Sequence, residues 1–312
     1  MSEAGCIVLA GGSGFLGRSL AQVLVRRGYE LAVLSRRPAG QIGAVRFLQW
    51  AGKTVGAWSS IFIGASAIVN LTGKSVNCRY TPAARAEILA SRVDSVRAVG
   101  DAIAGCSQPP PVLVQTSSLA IYGNSGERIC TEDSPRGSDF AVNVCEEWEA
   151  ALKALPLPQT RKVALRIGFA LKRGEGALRT LEKITSLFLG GTVCDGRQYI
   201  SWIHIADLER MFVSAVEEED LEGPFNATGP TPTTNAEFMA ELRRALHRPW
   251  SPPVPRPLLR LGAWAMRTES DLALNGVRCL PQRFLERGFR FDFTDLRTAL
   301  ADLYGTDQTI AA

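Results

Sequence analysis

The chain has 312 residues, 46% apolar and 21% charged, with 35 basic against 31 acidic side chains for a net charge of +4. These values describe an ordinary globular protein of one large domain or two modest ones. They exclude disorder, a collagen repeat and a disulfide-framework scaffold, and the charge excess is too small and scattered for a nucleic-acid binder. No apolar run reaches the eighteen or so residues of a membrane span, and no basic segment precedes an apolar one at the N-terminus, so neither a membrane anchor nor a signal peptide is expected. Seven cysteines without a C-x-x-C pair, beside two histidines, predict reduced thiols, no metal site and a cytoplasmic protein.

In chain order, residues 6–10 form a short apolar strand. Residues 14–27 have helical spacing, with Leu16, Leu20, Val23 and Leu24 on one side and Gly28 closing the helix. Strands follow at 31–34 and 67–71, then a long helix at 83–104. Three prolines at 109–111 precede a strand at 112–116. Helices are expected at 145–155, 176–189 and 205–216, and strands at 162–167 and 200–205. Beyond Gly223-Pro224, prolines cluster between 230 and 257. Alternation of this kind predicts an α/β fold, a Rossmann-type doubly wound parallel sheet. The expected division is a dinucleotide-binding domain at 1–191 and a smaller C-terminal α/β lobe at 192–312, with some later segments returning to the first domain.

The strongest local signal is Gly11-Gly12-Ser13-Gly14-Phe15-Leu16-Gly17, which leaves the first strand and opens the first helix. Gly11 permits the tight turn, Gly14 a close approach of the ligand, and Gly17 contact between helix and sheet. The unpaired amides of the helix N-terminus then face a pyrophosphate. An acidic residue at the end of the second strand would bind the 2′-hydroxyl of NAD. This chain has Ser35-Arg36-Arg37 instead, a serine donor and a guanidinium suited to a 2′-phosphate. NADP(H) is therefore expected in preference to NAD(H), against the plainer alternative of a solvated basic turn.

These motifs resemble those of the extended short-chain dehydrogenases/reductases. Ala10–Gly17 is similar to their TGxxGFxG loop, Asn70-Leu71-Thr72-Gly73 to N-x-A-G, and Ser117-Ser118-Leu119-Ala120-Ile121-Tyr122-Gly123 to SSxxVYG. Leu165-Arg166 with Gly168 is similar to LRxG, and Trp202-Ile203-His204 with Asp207-Leu208 to W/F-I-H-x-x-D-L. A narrower resemblance runs end to end, to the epimerase-like branch with a small C-terminal domain. It rests on Ser91-Arg92-Val93, Trp148-Glu149-Ala150-Ala151, the 189–208 and 223–238 segments, Gly276 to Pro281, and Gly288-Phe289-Arg290-Phe291. With the loop, the resemblance implies a cofactor site of Gly11, Gly12, Ser13, Gly14, Phe15, Leu16, Gly17, Ser35, Arg36, Leu71, Thr72, Gly73, Glu87, Arg92, Ser117, Arg166 and Ala170.

The wider family works with Ser/Thr, Tyr and Lys, the last two spaced Y-x-x-x-K. This chain departs from that pattern. Four residues beyond Tyr29, Tyr80, Tyr122, Tyr199 and Tyr304 stand Val33, Ala84, Gly126, Ile203 and Gln308. The positions where the resemblance places Tyr and Lys are Phe140 and Val144, which cannot carry a proton. Ser118 and Tyr122 are the candidate catalytic residues in their stead, with packing in the turn the alternative for Tyr122. Lys74 is a candidate substrate-side charge or an exposed lysine. His204 is expected in the core. Arg166 binds an anion or anchors the loop around Asp207, and Glu87 with Arg92 meets the cofactor or forms a surface pair. Two functions fit. One is an NADP(H)-dependent epimerase-like oxidoreductase acting on a small polar or sugar-nucleotide-like molecule, monomeric or homodimeric. The other is a non-catalytic NADP(H)-binding regulator or scaffold.

Overall fold

The computed structural model describes residues 5–305; the outermost ends of both expected domains lie outside these. The strands are β1 (Cys6–Ala10), β2 (Glu30–Ser35), β3 (Gly40–Ile42), β4 (Val45–Gln49), β5 (Ala67–Asn70), β6 (Val112–Ser118), β7 (Ile129–Cys130), β8 (Arg161–Ile167), β9 (Phe169–Leu171), β10 (Tyr199–Ile200), β11 (Trp202–His204), β12 (Gly223–Ala227), β13 (Thr233–Thr234) and β14 (Arg278–Cys279). The helices are α1 (Phe15–Arg26), α2 (Pro82–Ala104), α3 (Phe140–Lys153), α4 (Leu178–Ser186), α5 (Ile205–Glu217), α6 (Asn235–Ala245), α7 (Arg256–Ala265), α8 (Asp271–Leu274), α9 (Gln282–Glu286) and α10 (Leu296–Tyr304).

Eight strands form one sheet in the order β12-β8-β6-β5-β1-β2-β4-β3, parallel throughout except for the β3–β4 edge pair. Alternate residues of β1 serve both faces, as a doubly covered sheet requires. Ile7 and Leu9 join Leu20 and Leu24 of α1 and Met211 and Phe212 of α5; Val8 and Ala10 join Val99 and Ile103 of α2 and Trp148 of α3. The strand order reverses between β1 and β5. A crevice therefore opens beyond their C-terminal ends, where doubly wound folds bind ligands.

A second core gathers Leu171, Leu178, Trp202, Phe238, Met239, Leu242, Leu296, Ala299 and Leu300. The chain passes between the two cores repeatedly. After α4 and β11 contribute to the small lobe, α5 packs back on the large sheet and β12 completes its edge beside β8. Asp207, fully buried, accepts from the amides of Asp292 and Phe293 and from Arg210, fastening the C-terminal segment to α5. His204 is a core residue: its Nδ1 accepts the Ala206 amide and caps α5, and its ring lies 3.8 Å from that of Phe293. Burial pushes its pKa below the ordinary histidine value, against the pull of Asp302 at 3.4 Å.

Several elements differ from the sequence expectation. Helix α3 begins at Phe140 because the Asp139 carboxylate accepts the Val142 amide and caps it there. The strand expected at 200–205 breaks at Ser201, whose hydroxyl donates to the Val277 carbonyl and accepts from the Cys279 amide. Strands β3, β4 and β12 arise from segments without clear alternation.

Candidate functional site

The glycine loop lies at the mouth of the crevice. Gly11 has φ +75°, and a Cβ on it would come within 2.9 Å of the Thr72 backbone, so the loop closes directly on the end of β5. A Cβ on Gly17 would lie within 2.5 Å of the Gly12 carbonyl carbon and closer still to its oxygen. Helix α1 thus starts in contact with the loop it leaves. Its N-cap is Gly14, exposed and without a capping side chain, so its first amides stay free for an anion. Ser13, Phe15 and Leu16 complete this turn. Arg18 holds it by donating to the Ser13 carbonyl at 3.0 Å and to Glu175 at 2.6 Å, and Gly176 lies on the Phe15 ring. The segment around Glu175 therefore leans over the loop.

Beside it, Gly11 donates its amide to the Leu34 carbonyl, which brings the end of β2 to the same crevice. Ser35 is buried and its hydroxyl accepts from the Arg37 amide. That turn carries Arg36 outward, exposed, with no hydrogen bond or ion pair among the described residues.

At the end of β5, the Asn70 side chain accepts the Thr72 amide and donates to Gln115 at 2.8 Å, which fixes Leu71, Thr72 and Gly73. The buried Thr72 hydroxyl has no partner among the described residues. Arg92 lies against Gly73, donates to the carbonyls of Lys74 and Ile88, and stacks over Trp148 at 4.9 Å. Burial lowers its pKa. Glu87 does not meet Arg92: it pairs with Lys74, which pulls the carboxyl below its ordinary pKa.

Under the C-terminal ends of β6 and β8 lies a buried polar network. Arg166 is bidentate on Glu149, at 2.9 and 2.8 Å, with side chains 5% and 10% exposed. Ser117 donates to the same carboxylate at 2.7 Å. Burial opposes the Arg166 charge, but Glu149 outweighs it and holds the guanidinium protonated above its usual range. Arg166 also donates to the Tyr122 oxygen at 2.8 Å, and Tyr122 donates to Asn226 of β12 at 2.7 Å. The expected anchoring of Asp207 by Arg166 does not occur, because Arg210 fills that role.

Tyr122 is 1% exposed, its hydroxyl is engaged as donor and acceptor, and burial drives its pKa far above the tyrosine range. Expected in the cleft, it sits behind it. Ser118 is half-buried; its oxygen accepts the Ala120 amide, leaving its own proton to be donated. The tyrosine that meets Phe140 is Tyr80, with ring centroids 5.2 Å apart and Arg85 over the Phe140 face. Burial pushes its phenol up to about 12. Ala170 pairs with Ile203 between β9 and β11 and packs on the large core, as Phe15, Leu16 and Leu71 do.

Sequence reasoning missed Glu149, Glu132 and Asn226. Glu149 stood within a quoted motif without a role, and Asn226 followed Gly223-Pro224-Phe225. Glu132 is 6% exposed; one oxygen accepts the Asn226 and Arg283 amides and the other has no partner among the described residues. Burial raises its pKa. A carboxyl with a raised folded pKa favours folding at low pH, and that contribution is lost as pH rises through the folded value. Glu132→Gln keeps the accepting oxygen and removes the charge. The variant is therefore expected to gain stability relative to wild type progressively above the ordinary glutamate pKa. Urea midpoints from pH 4 to pH 8 check this, and parallel profiles would refute it.

The reversed strand order, the glycine loop and the polar ends of β6 and β8 define an extended short-chain dehydrogenase/reductase fold. The chain matches the NAD dependent epimerase/dehydratase family over residues 7–144 and a domain of unknown function, DUF1731, over residues 254–303. It is 34% identical to the epimerase family protein YfhF of Bacillus subtilis, over 97% of this chain and 99% of that one. It is 35% identical to the Bos taurus epimerase family protein SDR39U1, over 95% and 99%. The crystal structure of human SDR39U1 (isoform 2) with NADPH superposes with a TM-score of 0.85 at 31% identity, covering 96% of this chain and 99% of that one. This chain belongs to that epimerase family.

Proposed function

We propose that this protein binds NADP(H) in preference to NAD(H) and is an epimerase-like oxidoreductase for a small polar or sugar-nucleotide-like molecule. The observation that carries the proposal is the pairing of an uncapped, glycine-packed helix N-terminus with the unpartnered Arg36 at the adjoining strand end. The residues present fit the dinucleotide. The loop amides of Ser13, Phe15 and Leu16 would receive the pyrophosphate, Arg36 the 2′-phosphate, and the Thr72 hydroxyl, without a partner among the described residues, has an acceptor or donor to gain beside Gly11. The NADPH in the human SDR39U1 crystal structure supports the same choice. When bound, the nicotinamide supplies or accepts a hydride. Ser118 would donate to the substrate oxygen, while Ser117, Arg166 and Glu149 hold its strand end in place. Arg85, stacked on Phe140, puts positive charge near the loop that leads from β5 into α2, which suits an anionic substrate group; Lys74 there is already paired with Glu87. The protein works in the cytoplasm, as a monomer or homodimer.

A second reading, a non-catalytic NADP(H)-binding regulator, is favoured by one observation: Tyr122 is sealed in the core, while Phe140 and Val144 stand near where the resemblance places the proton-transferring pair. One experiment separates them. NADPH and NADH are titrated into wild type and Arg36→Ala, followed by NADPH oxidation with a panel of carbonyl compounds. Arg36→Ala is expected to weaken NADPH roughly 10- to 100-fold, the worth of a charge-assisted pair, and to leave NADH almost unchanged. Turnover that Ser118→Ala removes establishes the enzyme. Tight binding with no turnover establishes the regulator. Equal affinity for both cofactors in wild type overturns the NADP(H) preference.

A further inference from the structure

Helix α7 is amphipathic in an unusual sense: the apolar stripe faces out. Its one buried residue is Ala263. Leu258, Leu261 and Trp264, spaced three apart and so along one face, are 58%, 61% and 65% exposed. Trp250 ahead of the helix and Met266 behind it are exposed as well. A second exposed apolar group, Leu187 to Leu189, is brought beside Trp250. Arg248 donates to the Ser186 carbonyl and covers the Phe188 ring, and Val193 pairs with Val254. A surface this apolar marks an interaction site.

Charge decides the partner. From residue 242 to 268 there is no acidic side chain, while arginines stand at 243, 244, 248, 256, 260 and 267, in a chain whose whole net charge is +4. Arg256, Arg260 and Arg267 are exposed, and their side chains make no hydrogen bond or ion pair among the described residues. A second copy docking by two-fold symmetry would bring this same basic surface against itself. An anionic bilayer meets both features at once: leucines and tryptophans enter the headgroup boundary while arginines meet phosphates in the same plane. We propose that α7, with Trp250 and the 187–189 segment, docks this protein on the surface of an anionic membrane. The geometry places that contact next to the cleft. Arg79, from the loop between β5 and α2, donates to the Trp264 carbonyl at 3.0 Å and stacks on its ring.

The test is co-sedimentation of the full chain with vesicles of phosphatidylcholine, with and without phosphatidylglycerol, at low and high salt. Wild type is expected to sediment with the anionic vesicles only, and less at high salt, with a blue shift of tryptophan fluorescence. Arg256→Gln/Arg260→Gln should lower partitioning roughly 30-fold, about fivefold for each arginine near an anionic surface. Leu261→Glu/Trp264→Glu should abolish it. All four positions are solvent-exposed, so both variants should keep the wild-type thermal midpoint. Wild type remaining in the supernatant, or variants that sediment equally, overturns the proposal. So does a lipid-free dimer in sedimentation velocity that the apolar-face variant dissolves, or tight binding to polyglutamate without binding to vesicles.

Discussion

Gly17→Ala lowers stability by about 1–2 kcal/mol and weakens dinucleotide binding by at least an order of magnitude. In an open helix the change is favourable, because alanine is the better helix former by about 1 kcal/mol. Here the added carbon enters space held by the Gly12 backbone. That neighbour is backbone, not a flexible side chain that swings away. Either α1 lifts from the loop or the loop shifts, at a cost of about 1–3 kcal/mol for overpacking. Both movements displace the amides of the first helical turn. Gly262→Ala is the matched control: also helical, with nothing within 4 Å of its added carbon, it should stabilise by about 0.5–1 kcal/mol. Thermal unfolding and an NADPH titration of both variants provide the check. Wild-type affinity in Gly17→Ala would mean that loop compactness does not set the binding geometry.

The largest stability effect is expected from separating Arg166 and Glu149. Removing one partner leaves the other charge buried without a counterion, which costs about 3–5 kcal/mol. Arg166→Met also strips Tyr122 of a donor and the Glu132 carbonyl of another. Glu149→Leu leaves the guanidinium without its acceptor and the Ser117 hydroxyl without its partner. Combining Arg166→Met with Glu149→Leu removes both charges, so the double variant should recover part of either loss. The coupling, read from urea unfolding of all four proteins, should exceed 1 kcal/mol by order of magnitude for groups sharing one network. Simple additivity would show that the charges do not depend on one another. Exposed pairs such as Arg136–Glu146 and Arg27–Glu217 should change stability by less than about 1 kcal/mol when removed.

The contrast between these two sites explains what could be read from the chain alone. The glycine loop is a local constraint: strand end, turn and helix start lie within a dozen residues, and each glycine has its own steric reason. The Ser35-Arg36 turn is equally local, and the alternation of strands and helices carried the parallel sheet. The polar network is not local. Arg166, Glu149, Glu132, Tyr122 and Asn226 come from five separate segments, and only the strand order brings them together. The spacing of Tyr122 from Ser118 pointed to a shared cleft, but the 3-10 turn Leu119–Tyr122 rotates the phenol inward. Strand β12 hid behind Gly223-Pro224, which reads as a turn. The basic apolar surface of α7 escaped notice for another reason. Prolines and leucines interleave its arginines, and only the folded chain shows that none of the leucines of its stripe turns inward.

The position of β12 has a consequence for how this chain comes into being. The outer strand of the large sheet is encoded after much of the small lobe, so no cut in the sequence separates two self-sufficient pieces. A fragment ending near residue 191 would lack both α5 and β12, leaving β8 as a naked parallel edge and one sheet face half bare, a species prone to aggregate. During synthesis the sheet must wait, incomplete, until residues 223–227 arrive. The lobe is thus less an attachment than a detour taken before the first structure is finished. The lobe therefore cannot be exchanged by simple end-to-end fusion.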